Sequence, residues 1–219
     1  MVFPATYRAT DGTSQRSPYS GLRTKEFDEV TLPPRQRIVA KPAEIRDIPL
    51  LLRHAEAAIG LSLASVETVA RIACAHPDSL WSFWCRDRLV GGFAMLMLNG
   101  QGLVALLSDS IDLSDPAPTL LASPQERPAG IYVWAVLGPA IAAEGVTRVI
   151  VRLQQYPYER SDVFALPATS AGLRLIRGLG LHLVPGHPRA LYRYVRFANR
   201  TQSAVKWESE EDVHECFSA

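Results

Sequence analysis

The stretch SPQERPAGIYVW (residues 123–134) sets a proline and a glycine just ahead of a run of Ile, Tyr, Val and Trp. Read alone, the run is a strand, because these side chains suit a pleated, half-buried surface. Extended through the residues C-terminal to it, the segment 131–145 fits one helix of about four turns ended by Gly145. Ile131, Trp134, Ala135, Leu137, Gly138, Ile141 and Ala142 then fall broadly along one side. Pro139 opposes a single helix, since a mid-helix proline removes a backbone hydrogen bond at roughly 3 kcal/mol. A strand followed by a short helix is therefore the alternative.

Outward from that point the elements alternate. A strand is expected at 37–43 and a helix at 45–60, with Ile48, Leu51, Leu52, Ala55 and Ile59 on one face and Gly60 as its stop. A second helix follows Ser65 as its cap, with Val66, Val69, Ala70 and Ala73 at helical spacing. Residues 80–87, 89–98 and 102–109 are rich in apolar and β-forming residues, and the breaks between them suit an antiparallel meander. RVIVRL (148–153) reads as a buried strand, 169–180 as a helix, and LHLVP and ALYRYV as two last strands. Trp81, Phe83 and Trp84 point to both faces of their strand, which marks it as interior or, alternatively, as an exposed patch for a partner.

The order β, α, α, β, β, β, α, β, α, β, β is an α/β (α+β) arrangement: a mixed, mostly antiparallel sheet flanked by helices. It divides the chain into an N-terminal extension (1–36), one main domain (37–196) and a polar, acidic tail (197–219) carrying Glu208, Glu210, Glu211 and Asp212. A formal net charge of +1 gives no overall field for nucleic acid or an anionic membrane. No apolar run has signal-peptide or membrane-spanning length. The three cysteines, Cys74, Cys85 and Cys216, lack CxxC spacing, so neither a disulfide framework nor a zinc site is expected. A cytoplasmic protein is the expectation.

The element order, the loop Arg127-Pro128-Ala129-Gly130-Ile131-Tyr132 and the segment GLRLIRGLGL (172–181) together resemble the GCN5-related N-acetyltransferase (GNAT) superfamily over roughly residues 37–196. The resemblance implies a GNAT-like fold and an acyl transfer from acetyl-coenzyme A or another acyl-coenzyme A to an amine, with no metal. In that family a loop of pattern Arg/Gln-x-x-Gly-x-Gly/Ala offers backbone N–H groups to the coenzyme's diphosphate. A helix N-terminus supplies such donors and the positive end of a dipole. Arg127 and Gly130 match, Pro128, Ala129 and Ile131 complete the loop, and Tyr132 departs from the pattern. Read without the family, RPAG is a turn whose Pro128 and Gly130 set the backbone angles.

The family's splayed fourth strand, whose amides meet the acyl and pantetheine carbonyls, corresponds by position to Ala105–Ser108, including Leu107 and Ser108. Asp109 is then the nearest carboxylate and a candidate proton acceptor, or else a turn-capping residue. Where the family often carries a tyrosine that protonates the departing thiolate, this chain has Ile176, and Leu175 and Gly180 match. Tyr156 or Tyr158 could replace that acid, or could simply cover the sheet edge. Asp112 and Asp115 read as loop residues, His54 as a partly exposed helix residue, and Cys74 and Cys85 as small core residues; His182, His187 and His214 have no metal-ligand spacing. The arginines of the last third suit either coenzyme phosphates or plain solvation. The implied partner is an amine acceptor, and a homodimer is compatible with the sequence. A non-catalytic GNAT-like binding or regulatory module is the alternative.

Overall fold

A computed structural model of the chain describes residues 38–59, 64–138 and 142–196. The expectations for 1–36, Gly60, Pro139 and 197–219, including Cys216 and His214, lie outside these residues. In chain order the elements are β1 (Ile38–Pro42), α1 (Ile48–Ile59), α2 (Val66–Ala75), β2 (Leu80–Cys85), β3 (Arg88–Leu98) and α3 (Gly100–Leu107). They continue with β4 (Gly130–Leu137), α4 (Ala143–Arg152), β5 (Asp162–Ala165), α5 (Ser170–Gly178), β6 (His182–Leu183) and β7 (Tyr192–Tyr194).

The strands form one seven-stranded sheet of order β1-β2-β3-β4-β5-β7-β6. Every neighbouring pair is antiparallel except β4 and β5, which run parallel. Helices α1, α2 and α3 pack on one face through Ile48, Leu51, Ile72 and Leu106, and α4 and α5 cover the other through Val146, Val149 and Ile176. The mixed, mostly antiparallel sheet flanked by helices is thus the architecture of the chain.

Several elements stand where the sequence placed them. Ser65 caps α2, its hydroxyl accepting from Thr68 N–H at 3.1 Å. Trp81 and Phe83 are buried in a strand paired on both sides. Cys85 is buried, whereas Cys74 faces solvent, because α2 buries Thr68, Val69, Ile72 and Ala73 instead. Asp112 and Asp115 are loop residues, Asp112 accepting from Ser114 and Asp115 from Thr68 and Arg71.

Three readings are corrected. GLVALLSD is a helix, not the third strand of a meander: Asn99 caps it, accepting from Gly102 N–H at 2.9 Å, and Leu106 is its buried anchor. Residues 131–137 are strand, the alternative reading of the opening stretch, with Ile131 and Tyr132 buried on opposite faces. RVIVRL lies in and just beyond α4, where Val146, Val149, Ile150 and Leu153 recur at i, i+3, i+4 and i+7 toward the sheet. The strand next to β4 is instead Asp162–Ala165.

Helix α4 can lie close over the sheet because Gly145 has no side chain. A Cβ there would come within 2.7 Å of two atoms of the fully buried Phe83 ring. Alanine gains up to about 1 kcal/mol of helix propensity over glycine, but overpacking a core costs about 1–3 kcal/mol. Gly145→Ala is therefore expected to destabilise the protein by about 1–2 kcal/mol in chemical denaturation, whereas propensity alone would stabilise it.

Candidate functional site

The site is built by the way β4 is paired. On one side, β4 runs against β3 along its whole length, but the register slips between Ala94 and Met95, leaving Trp134 as an extra residue in β4. Such a bulge bends a strand and re-aims its backbone. On the other side, only Gly130–Val133 pair with Asp162–Ala165. Beyond Val133 the pairing ends because β5 itself stops at Ala165, and the edge of β4 from Trp134 to Leu137 has no strand beside it among the described residues. A wedge opens in the sheet at the C-terminal ends of its two parallel strands.

The closed end of the wedge is firmly tied. Asp162, 4% exposed, accepts from Arg193 Nε at 2.7 Å and from the Arg196 backbone N–H at 2.9 Å. Arg193 also lies over the Phe164 ring, and Arg196 reaches back to the carbonyls of Ser161 and Leu153. At the open end β4 stops at Gly138, whose φ of +132° lies outside the range of ordinary residues. A Cβ on Gly138 would also stand 2.7 Å from the Ala142 side chain. Helix α4 begins at Ala143, one residue after the Ala142 that lies against Gly138. Thr169 caps α5, accepting from Gly172 N–H at 3.0 Å.

Each face of the sheet holds a cavity beside the wedge. Between α4, α5 and the sheet lies one of about 160 Å³, walled by Val133, Val136, Ile150, Leu175 and Ile176 with Gln154, Tyr194 and Arg196 as its polar members. On the other face α1 and α2 enclose a wholly apolar one of about 40 Å³ against Ala94, Trp134, Ala135 and Leu137.

The residues singled out from the sequence do not meet at the open end. Arg127 is on the surface, in an ion pair with Glu159 at 3.3 Å. The Pro128 carbonyl accepts from Ser161 Oγ, and Ala129 N–H donates to Leu98. Gly130, Ile131 and Tyr132 are paired on both sides within the sheet. The stretch 127–132 therefore enters a strand at the closed end, its amides already engaged, and opens no helix. Leu107 and Ser108 end α3, with the Ser108 hydroxyl bonded to the Val104 carbonyl. Asp109 follows at φ 57° and is salt-bridged to Arg189. His187 approaches the Leu106 carbonyl at 3.0 Å, fastening the β6–β7 connection to α3. Tyr156 is exposed, while Tyr158 is buried and donates to Asp78, at the far end of β5 from the wedge. Ile176 is buried and lines the larger cavity. Among the described residues no group of three His, Cys, Asp or Glu side chains could hold a metal, and no helix is long and apolar enough to cross a membrane.

Sequence reasoning missed Trp134, the Gly138 turn and β5. The pair Gly138-Pro139 was the available signal, because glycine and proline together punctuate a chain and leave the preceding apolar run as a strand.

The sequence matches no protein-family model and no curated protein. Solved structures do match. The loading GNATL domain of CurA from Lyngbya majuscula superposes with a TM-score of 0.51 at 14% identity, covering 73% of this chain and 98% of that one. Lower similarity relates the chain to the GphF GNAT-like decarboxylase in complex with isobutyryl-CoA, with a TM-score of 0.43 at 18% identity over 67% of this chain and 72% of that one. The same holds for diaminobutyrate acetyltransferase EctA from Paenibacillus lautus, in complex with L-2,4-diaminobutyric acid and coenzyme A, at 0.46 and 14% over 72% and 94%. The likeness to the CurA domain is one of fold: the chain has a divergent GNAT-like fold.

Two phenols are held neutral by this architecture. Burial raises Tyr132 from the ordinary 10.0 to about 12, opposed by the charge of Arg189. Burial and then the hydrogen bond to Asp78 raise Tyr158 to about 12. A raised folded-state pKa contributes stability that is complete below about pH 10 and is lost as pH climbs toward about 12. Alkaline difference spectroscopy should accordingly show two phenols ionising late, one removed by Tyr132→Phe and the other by Tyr158→Phe. Ionisation of either with the ordinary phenols would contradict its burial.

Proposed function

We propose that the protein is a GNAT-type acyltransferase that takes an acyl group from a coenzyme A thioester to an amine. The observation that carries this reading is the wedge: a parallel pair that ends at Val133, leaving the edge of β4 free beyond a bulge at Trp134, with α4 beginning five residues after Gly138. The diphosphate is read at the N-terminus of α4, at Ala142 and Ala143, where helix N–H groups and the helix dipole favour an anion. This replaces the loop 127–132, whose amides are engaged in the sheet. The pantetheine arm is read along the free edge of β4, over the cavity walled by Val133, Val136 and Leu175. Backbone N–H groups of that edge donate to carbonyls of the arm and to the thioester oxygen, stabilising the charge that develops there.

The neutral amine attacks the thioester carbon, a C–N bond forms, the C–S bond breaks, and the amine loses one proton to water or a base. Most of the rate in such a step comes from holding amine and thioester together. Asp109, salt-bridged to Arg189 beyond α3, is assigned no proton transfer in this reading.

A second reading is favoured by one residue. Ile176, buried where the family often carries its acid, suits a module that binds coenzyme A without turning it over. Release of free thiol from acetyl-coenzyme A across a panel of amines separates the two: turnover supports the enzyme, and binding alone supports the module.

The binding itself is tested by calorimetric titration with acetyl-coenzyme A, which should give saturable binding at one site per chain. Ala143→Glu places a carboxylate in the exposed first turn of α4. That change favours the helix by about 0.3–1 kcal/mol but repels a diphosphate, so affinity should fall roughly tenfold or more while thermal stability holds. Unchanged affinity would refute the assignment of the diphosphate to this turn.

A further inference from the structure

We infer that the protein selects a short, unbranched or singly branched apolar acyl chain of about three or four carbons in preference to acetyl, and rejects acyl groups that carry a charge. This rests on the proposed reading of the wedge as a thioester site and concerns what lies past the thioester.

The unpaired edge of β4 is shared by the two cavities. Val133 and Val136 turn to the α4 and α5 side, while Trp134, Ala135 and Leu137 turn to the α1 and α2 side. A chain lying on that edge with its arm over the first cavity can continue into the second around Trp134 and Ala135. The second cavity has a wholly apolar wall, formed by residues such as Leu51 and Leu52 of α1 with Ala94 of β3. Two small residues, Ala94 and Ala135, keep the space open where larger ones would close it. Its volume of about 40 Å³ takes about three water-sized groups, at roughly 10–15 Å³ for each. That is more than the methyl of acetyl and less than a long chain. A carboxylate placed there would be buried without a partner, which strongly disfavours it.

Titrations compare free coenzyme A with its acetyl, propionyl, butyryl, isobutyryl, octanoyl and succinyl thioesters. Each buried methylene is expected to tighten binding about fourfold, so butyryl and isobutyryl should exceed acetyl by roughly tenfold. Octanoyl should fall back, and succinyl should bind no better than the free coenzyme. Ala135→Leu fills the cavity and should bring butyryl down to the level of acetyl. Leu52→Ala enlarges it and should move the optimum to a longer chain, which keeps the inference testable if the first variant does not fold. Equal affinity for acetyl and butyryl, with coenzyme A bound, overturns the acyl cavity and leaves the wedge reading intact. No binding of coenzyme A in any form overturns both.

Discussion

Parallel pairing cannot be made by a tight turn; it needs a crossover connection that returns the chain to the same end of the sheet. Here the crossover from β4 to β5 is α4 and the segment after it, and the two strands are joined over four residues, Gly130–Val133 with Asp162–Ala165. That short joint is the constraint on which the rest depends. If the pairing ran the length of β4 there would be no free edge from Trp134 to Leu137. If it were shorter, β5, β6 and β7 would keep fewer backbone ties to the other strands.

The joint is held by polar groups at one end and by packing at the other. Asp162 collects the Arg193 side chain and the Arg196 backbone N–H, and it is buried well enough that loss of its charge would leave Arg193 without its anchor. Because Arg193 is itself partly exposed, water softens that loss, and the pair acts more as a register pin than as a large source of stability. At the open end, packing takes over: Gly145 lets α4 settle onto Phe83, and Gly138, with φ +132°, ends β4 close against Ala142.

Much of this is legible in the sequence, though partly through compensating errors. The expected order of elements coincides with the observed one only if α3 is left out, because three expected elements are displaced along the chain together. GLVALLSD stands in for the strand that is really Gly130–Leu137, 131–145 for the helix that is really 143–152, and RVIVRL for the strand that is really 162–165. The two helices read as strands have the same physical root. Val and Ile are weak helix formers, so a helix such as α4, whose inner face is built from Val146, Val149 and Ile150, reads as a strand until its i, i+3, i+4 spacing is weighed against composition. Similarly, α3 is capped by Asn99, a signal that a run of Leu and Val conceals. The site is legible in kind but not in place. The family resemblance implies a splayed, bulged fourth strand, yet a bulge is a register slip between strands, and no single strand's sequence contains it.

For the proposed reaction, the buried Ile176 raises the question of how much an acid at that position is worth. Of the cavity wall where sulfur would lie, Val133, Val136, Leu175 and Ile176 cannot protonate a thiolate, and the phenol of Tyr194 is the lining group that could stand in for the missing acid. An ordinary thiol has a pKa of about 8.5, so at neutral pH a thiolate that leaves unprotonated stands only about 2 kcal/mol above its thiol. Holding amine and thioester in attacking geometry contributes up to roughly 7–11 kcal/mol. The second quantity exceeds the first several times over. Losing the acid therefore slows such a reaction by one to two orders of magnitude without abolishing it. The wedge, which sets the geometry, matters more to turnover than the residue at position 176.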